Sequence, residues 1–185
     1  MELQEISLDA ACDTRQLRNA LGRFPTGVTV ITTQAPDGKR EGLTANSFAA
    51  LSLDPPLVVW SISLRSPSLP GFLASGHFAI NVLSAGQAEL SHRFATPSED
   101  KFAGLNVGVG VGASPLLEGV IARFECSVDS TVEGGDHLLF VGRVRRLSYG
   151  DGEPLIFNAG RYCTALTIRT DTAASDLDGI WAGLG

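Results

Sequence analysis

Ile121-Ala-Arg-Phe-Glu-Cys-Ser-Val-Asp-Ser-Thr-Val132, then Glu133-Gly-Gly-Asp136, then His137-Leu-Leu-Phe-Val-Gly-Arg-Val-Arg-Arg-Leu-Ser-Tyr149: these residues decide the fold. Two long runs rich in β-branched, aromatic and alternating polar residues flank a Gly-Gly-Asp turn, which reads as a long antiparallel hairpin. Upstream, His77 to Leu83 and Leu57 to Ile62 read as further strands, and Gly27-Val-Thr-Val-Ile-Thr-Thr33 is β-branched enough for another. Pro36-Asp37-Gly38-Lys39 is a turn that folds this last strand onto one carrying Thr44 to Phe48. The helical patterns are short. Asp13-Thr-Arg-Gln16 has the spacing of a capping box ahead of Leu17, Leu21 and Phe24, Ser68 to Ser75 ends at Gly76, and Gln87 to Ala95 places Leu90 and Phe94 at i, i+4. Long strands joined by short connections predict a mainly β, antiparallel, Greek-key-like barrel with short helical insertions rather than a doubly wound parallel sheet.

The chain has 185 residues, 44% of them apolar, which suffices for one core and one domain. A net charge of −6 argues against a nucleic-acid backbone or an anionic membrane as main partner. Arg143, Arg145 and Arg146 form the one tight basic cluster, and their alternation with apolar residues predicts the solvent face of a strand. Cys12, Cys126 and Cys163 are far apart with no C-x-x-C pair, and His77, His92 and His137 are equally scattered, so neither a zinc site, another metal centre nor a disulfide framework is expected. No leader-like n-region and h-region opens the chain and no apolar run is long enough to span a bilayer, so a soluble cytoplasmic protein is expected. Residues 1–12 read as an extension and 13–168 as the domain. In the tail, 169–185, Leu177, Ile180, Trp181 and Leu184 make one apolar face suited to docking on a neighbouring surface.

Two segments invite a ligand. Gly42-Leu-Thr-Ala-Asn-Ser-Phe48 sets hydroxyl and amide side chains within a strand-like apolar run that continues to Pro55-Pro56. Ser61-Ile-Ser-Leu-Arg-Ser-Pro-Ser68 gathers hydroxyls and the Arg65 guanidinium before a short helix, a combination that can neutralise a phosphate dianion, although a plain serine-rich turn reads the same way. Gly108-Val-Gly-Val-Gly-Ala113 is formally a G-x-G-x-x-A match, but Pro115 follows with no helical pattern, so a flexible surface loop is expected in place of a nucleotide fingerprint. There is no G-x-S-x-G elbow, so nucleophilic hydrolysis has no support. His137 begins a strand directly after Gly134-Gly135-Asp136, where a titratable ring stands at a strand mouth.

Taken in order, Phe24-Pro-Thr-Gly-Val-Thr-Val-Ile-Thr-Thr33, Gly42 to Phe48, Ser52-Leu-Asp-Pro-Pro56, Ser75-Gly-His-Phe-Ala-Ile-Asn-Val-Leu83, Asp100-Lys-Phe-Ala-Gly104, Gly135-Asp-His137 and Pro154-Leu-Ile-Phe157 resemble the short-chain flavin reductase family over roughly residues 15 to 165. The resemblance implies an FMN-binding split barrel that forms a homodimer, uses NADH or NADPH to reduce FMN or FAD, and supplies reduced flavin to a separate monooxygenase. It places the flavin on Arg40, Glu41, Gly42, Leu43, Thr44, Asn46, Ser47, Ser61, Ile62, Ser63, Ser66, Ser68, Arg93 and Phe94. It places the nicotinamide nucleotide at Asp136 and His137, with Tyr162 near that opening. Two departures stand out: Pro67 and Pro70 flank the serines expected at the phosphate, and Asn158-Ala-Gly160 replaces the family's more usual aromatic or histidine-containing segment.

The chemistry so implied needs no acid–base pair, because the protein's task is to stack two rings at the right distance and angle. His137 is expected to orient the nucleotide without transferring protons. A pyridoxamine-phosphate-oxidase-like enzyme with tightly held FMN, using Arg143 to Arg146 for a substrate phosphate, and a non-catalytic FMN carrier are the alternatives.

Overall fold

The computed structural model describes residues 14–166 together with Leu3 and Glu5. The expected capping residue Asp13, Cys12, most of the extension and the apolar face of the tail lie outside the described residues. The elements in chain order are α1 (Thr14–Leu21), β1 (Thr26–Gly27), β2 (Thr29–Gln34), β3 (Arg40–Ala45), β4 (Ala49–Ser52), β5 (Leu57–Ser63), α2 (Leu69–Ser75), β6 (His77–Val82) and α3 (Ala88–Ala95). Then follow β7 (Val107–Val109), β8 (Pro115–Leu117), β9 (Ala122–Gly134), β10 (His137–Tyr149), β11 (Ile156–Asn158) and β12 (Arg161–Cys163). The long hairpin is present as read: Gly134 pairs with His137 across Gly135-Asp136, and the ladder runs on to Ala122 opposite Tyr149.

Seven strands form one antiparallel sheet in the order β3-β2-β6-β9-β10-β5-β4. Its two edge strands are consecutive in sequence, joined only by Asn46, Ser47 and Phe48. A chain advances at most about 3.5 Å per residue, so the edges lie within roughly 14 Å of each other and the sheet must curl into a barrel. The curl stops short of a continuous ladder. At the seam the Ser61 amide donates to Ser47 Oγ at 3.0 Å and that hydroxyl donates to the Ser61 carbonyl at 3.3 Å, a side-chain stitch where strand pairing would close the barrel. This is the split barrel that the resemblance implied.

Alternation along β5, β6 and β10 turns Val58, Trp60, Ile62, Phe78, Ile80, Leu138 and Phe140 inward. Trp60 stacks on Phe140 at 4.8 Å and takes Phe72 of α2 edge-on at 5.0 Å, so α2 plugs one end of the barrel. A second core lies outside the barrel wall, where Val28, Val30 and Leu83 pack against Phe94, Phe102, Leu117 and Leu155 under α3. A small sheet, β1-β11-β12, flanks this second core.

One expectation is corrected. The glycine run is no flexible loop: β7 and β8 pair as a hairpin, and the turn between them lies so close to β6 that a Cβ on Gly112, at φ 61°, would come within 2.2 Å of the His77 ring. The glycines are there for close approach. The basic cluster lies on the solvent face as expected, with Arg145 and Arg146 exposed, although a bulge between Val144 and Arg146 breaks its alternation. Arg143 donates to Asp129 at 2.7 Å, Arg145 to Ser127 at 2.9 Å, and Arg146 faces the buried Glu125 at 3.5 Å.

Candidate functional site

Among the described residues β3 pairs on one side only, with β2. The hairpin closes with the Ala35 amide donating to the Lys39 carbonyl at 2.8 Å, so residues 39, 41, 43 and 45 direct their backbone groups at β2. The strand period then sends the amides and carbonyls of Arg40, Gly42 and Thr44 outward. The Gly42 carbonyl meets the Lys101 ammonium at 3.2 Å, and Lys101 also donates to the Phe94 carbonyl at 2.8 Å. Outward-facing backbone therefore lines a cleft of about 300 Å³ between Ser66–Ser68 on one side and the end of α3 with Pro97–Phe102 on the other. Burial pushes the Lys101 ammonium below the usual lysine range, against the opposing pull of the Glu41 carboxylate.

The faces of β3 are held by different helices. On one, Phe94 of α3 lies so flat against the strand that a Cβ on Gly42 would come within 2.6 Å of its ring. On the other, Glu41 accepts a hydrogen bond from Ser68 Oγ at 2.7 Å and pairs with Lys39 at 2.6 Å. Farther along, Thr44 donates to the Ser91 carbonyl at 2.6 Å, and the fully buried Ser91 hydroxyl lies 2.8 Å from the Tyr162 hydroxyl. Ser91 thus ties β3 to β12, and the space between is walled by Val28, Phe157 and Tyr162.

The cleft continues past Thr44 and Asn46 into a second hollow bounded by Ser47, Ser61, Ser63, Ser66 and His137. His137 faces Ser63 across the β5–β10 ladder, which is how a residue at the hairpin mouth reaches the seam. Its Nδ1 lies 2.7 Å from an Asp136 carboxylate oxygen, and this contact holds the Asp136 carboxyl below the usual range, with Arg65 adding a smaller pull.

Most of the residues expected at the site therefore meet along one groove: Arg40, Glu41, Gly42, Leu43, Thr44, Asn46, Ser47, Ser61, Ser63, Ser66, Ser68, His137 and Tyr162 border these connected hollows. Asp136 stands beside His137 at the rim. Ile62, 2% exposed, points into the barrel and can offer only backbone. Phe94 also lines the cleft, but its ring is fully buried and packs against Gly42 of β3. Arg93 spends its guanidinium on the Ala103 carbonyl. The Ser68 hydroxyl is taken by Glu41, and Pro70, in the first turn of α2, has no amide to offer a phosphate. Lys101 was not among the expected site residues. Its signal was available in Asp100-Lys-Phe, a cation inside a motif quoted for the resemblance, but only the fold shows it reaching across to Gly42.

Residues 21–166 match the flavin reductase like domain family. The chain is 46% identical over 150 residues to FMN reductase (NADH) SmoA of Agrobacterium fabrum, which covers 81% of this chain and 85% of the relative. It is 41% identical over 168 residues to the reductase component of the flavin-dependent trigonelline monooxygenase of Acinetobacter baylyi, covering 91% of this chain but 54% of that protein, so the chain spans about half of that longer relative. Among solved structures, Streptomyces globisporus NADH:FAD oxidoreductase SgcE6, in complex with NAD and FAD fragments, superposes with a TM-score of 0.78 at 36% identity, covering 87% of this chain and 96% of that one.

Proposed function

We propose that this chain, which belongs to the flavin reductase-like family, moves a hydride from NAD(P)H to FMN or FAD held along the outer edge of β3. The observation that carries the reading is the groove itself: outward backbone from Arg40 to Thr44, then the hydroxyls of Thr44, Ser47, Ser61 and Ser63, then the His137 ring at the opening. Such a surface would fit a flat polar ring. The flavin, when bound, supplies the hydride acceptor, and dihydronicotinamide the hydride.

The protein's own work is binding and orientation. The outward amides of Gly42 and Thr44 would donate to a ring edge on which negative charge gathers, and being part of a strand they would need no rearrangement to do so. Lys101 and Ser66, which line the same cleft, would provide for an anionic tail. His137, held by Asp136, orients the nucleotide. Arg143, Arg145 and Arg146 already have polar partners on the β9–β10 hairpin, which removes the support for an oxidase that would use them on a substrate phosphate.

Three wider readings go with this one. Residues 13–168 are the working domain, with 1–12 an extension and the tail, 169–185, a docking segment. The protein is a cytoplasmic one and a homodimer, the dimer supported by Leu21 and Phe24 of the α1 region, 65% and 77% exposed beside Asn46 and Ser47 at the groove. A monooxygenase component consumes the reduced flavin, as the name of the Acinetobacter relative suggests. The test is anaerobic titration with NADH and with NADPH in the presence of FMN or FAD, followed by absorbance. Bleaching of the oxidised flavin band with at least one pair is expected, and no bleaching with any pair refutes the reading.

A further inference from the structure

Glu41 is an odd residue to find in a cleft meant for a phosphate-bearing ligand. Its side chain is only 13% exposed, and it is firmly built in. One carboxylate oxygen pairs with the Lys39 ammonium at 2.6 Å and the other accepts from Ser68 Oγ at 2.7 Å. The stem passes under α2 where a Cβ on Gly71 would come within 2.7 Å of Glu41 Cγ, so the helix leaves a gap for it. The hydrogen bond and charge of Glu41 also hold the Lys39 ammonium above its usual range, while its charge acts on Lys101 across the cleft.

We propose, resting on the flavin-reductase reading, that Glu41 is an internal rival of the flavin's phosphate: it occupies the cleft's donors when flavin is absent and keeps flavin a substrate that dissociates after each turnover. Lys39, Arg40 and Lys101 face Glu41 and Glu99 around the cleft, leaving little positive charge to spare. An arriving phosphate meets a carboxylate already on Ser68 and must push it aside against like-charge repulsion. The ring's contacts along β3 are untouched by this contest, so the rivalry acts on the phosphate alone. A release step is what a protein needs if reduced flavin is to be used elsewhere.

The test compares FMN with riboflavin, which has the same ring and no phosphate, by fluorescence titration of wild type and Glu41→Gln at low ionic strength, with a melting curve for each protein. Glu41→Gln is expected to bind FMN about tenfold more tightly while its riboflavin affinity stays put. Glu41→Ala removes the same charge with a smaller side chain and is expected to give the same selective gain, so the comparison survives if either variant folds poorly. Glu41→Asp keeps the charge and is expected to give no gain. A parallel gain for both flavins, or an FMN affinity that is unchanged or weaker in the neutral variants, overturns the proposal. Wild type that binds neither flavin overturns the flavin-reductase reading and this proposal with it.

Discussion

The barrel interior and the cleft on β3 lie on the same strands but are made of opposite materials. Inside, Trp60, Phe72, Phe78 and Phe140 interlock with ring centroids 4.8 to 6.3 Å apart. Outside, the same sheet ends in an edge furnished with hydroxyls, paired charges and a half-buried ammonium. A barrel that closed fully would have spent the edge of β3 on strand pairing. By stopping at the Ser47–Ser61 stitch, this one leaves the outward backbone of β3 unpaired by any strand among the described residues, while the ring cluster holds the sheet in place.

The largest expected effect falls on the interior. Phe140→Ala removes the ring that Trp60 stacks on and should cost about 3–5 kcal/mol of stability, read by urea unfolding. If the two regions are as separate as described, the folded fraction still binds flavin. At their junction, Gly42→Ala should disturb both: the new methyl meets the Phe94 ring, which costs about 1–3 kcal/mol and moves α3 away from β3, so flavin affinity falls as well. Equal stability and affinity to wild type would mean that β3 and α3 are not in the contact described.

Lys101→Met should affect the cleft with less effect on the fold, weakening FMN by about tenfold. The sign of its pH dependence follows from burial, which lowers the folded-state pKa below that of the unfolded chain. In the alkaline window between those two values the unfolded chain binds more protons, so the empty protein gains stability from this group as pH rises. Over the same window FMN affinity falls, because the ammonium is lost, and Lys101→Met should flatten both slopes. His137→Ala is the mildest: KM for the nucleotide should rise by about tenfold or less, and by more than kcat falls, in steady-state rates. The reverse pattern would remove His137 from an orienting role.

The same division explains what could be read before the fold was known. The β9–β10 hairpin, the β2–β3 hairpin and the helix ending at Gly76 are local, written in turn residues and short-range periodicity, and they appear as expected. The strand carrying Thr44 to Phe48 read as part of one strand-like run continuing to Pro55-Pro56, whereas the chain leaves the sheet at Asn46 and re-enters on the opposite edge as β4, whose residues Ala49, Ala50 and Leu51 are exposed. Nothing local signals that crossing, because it is imposed by barrel closure. In the site, Thr44, Asn46, Ser47 and His137 were legible by resemblance to known flavin reductases. The Glu41–Ser68 contact and the reach of Lys101 to Gly42 depend on partners 27 and 59 residues away, and the burial of Ile62 and Phe94 on the core clusters they join.

The most direct test of the central claim is a crystal structure with FMN bound. The account predicts the isoalloxazine edge on the outward amides of Gly42 and Thr44, between Asn46–Ser47 and Ser61–Ser63, with one ring face open toward His137. An isoalloxazine bound away from β3, or one in that place with both faces covered by side chains of the same protomer, would contradict it.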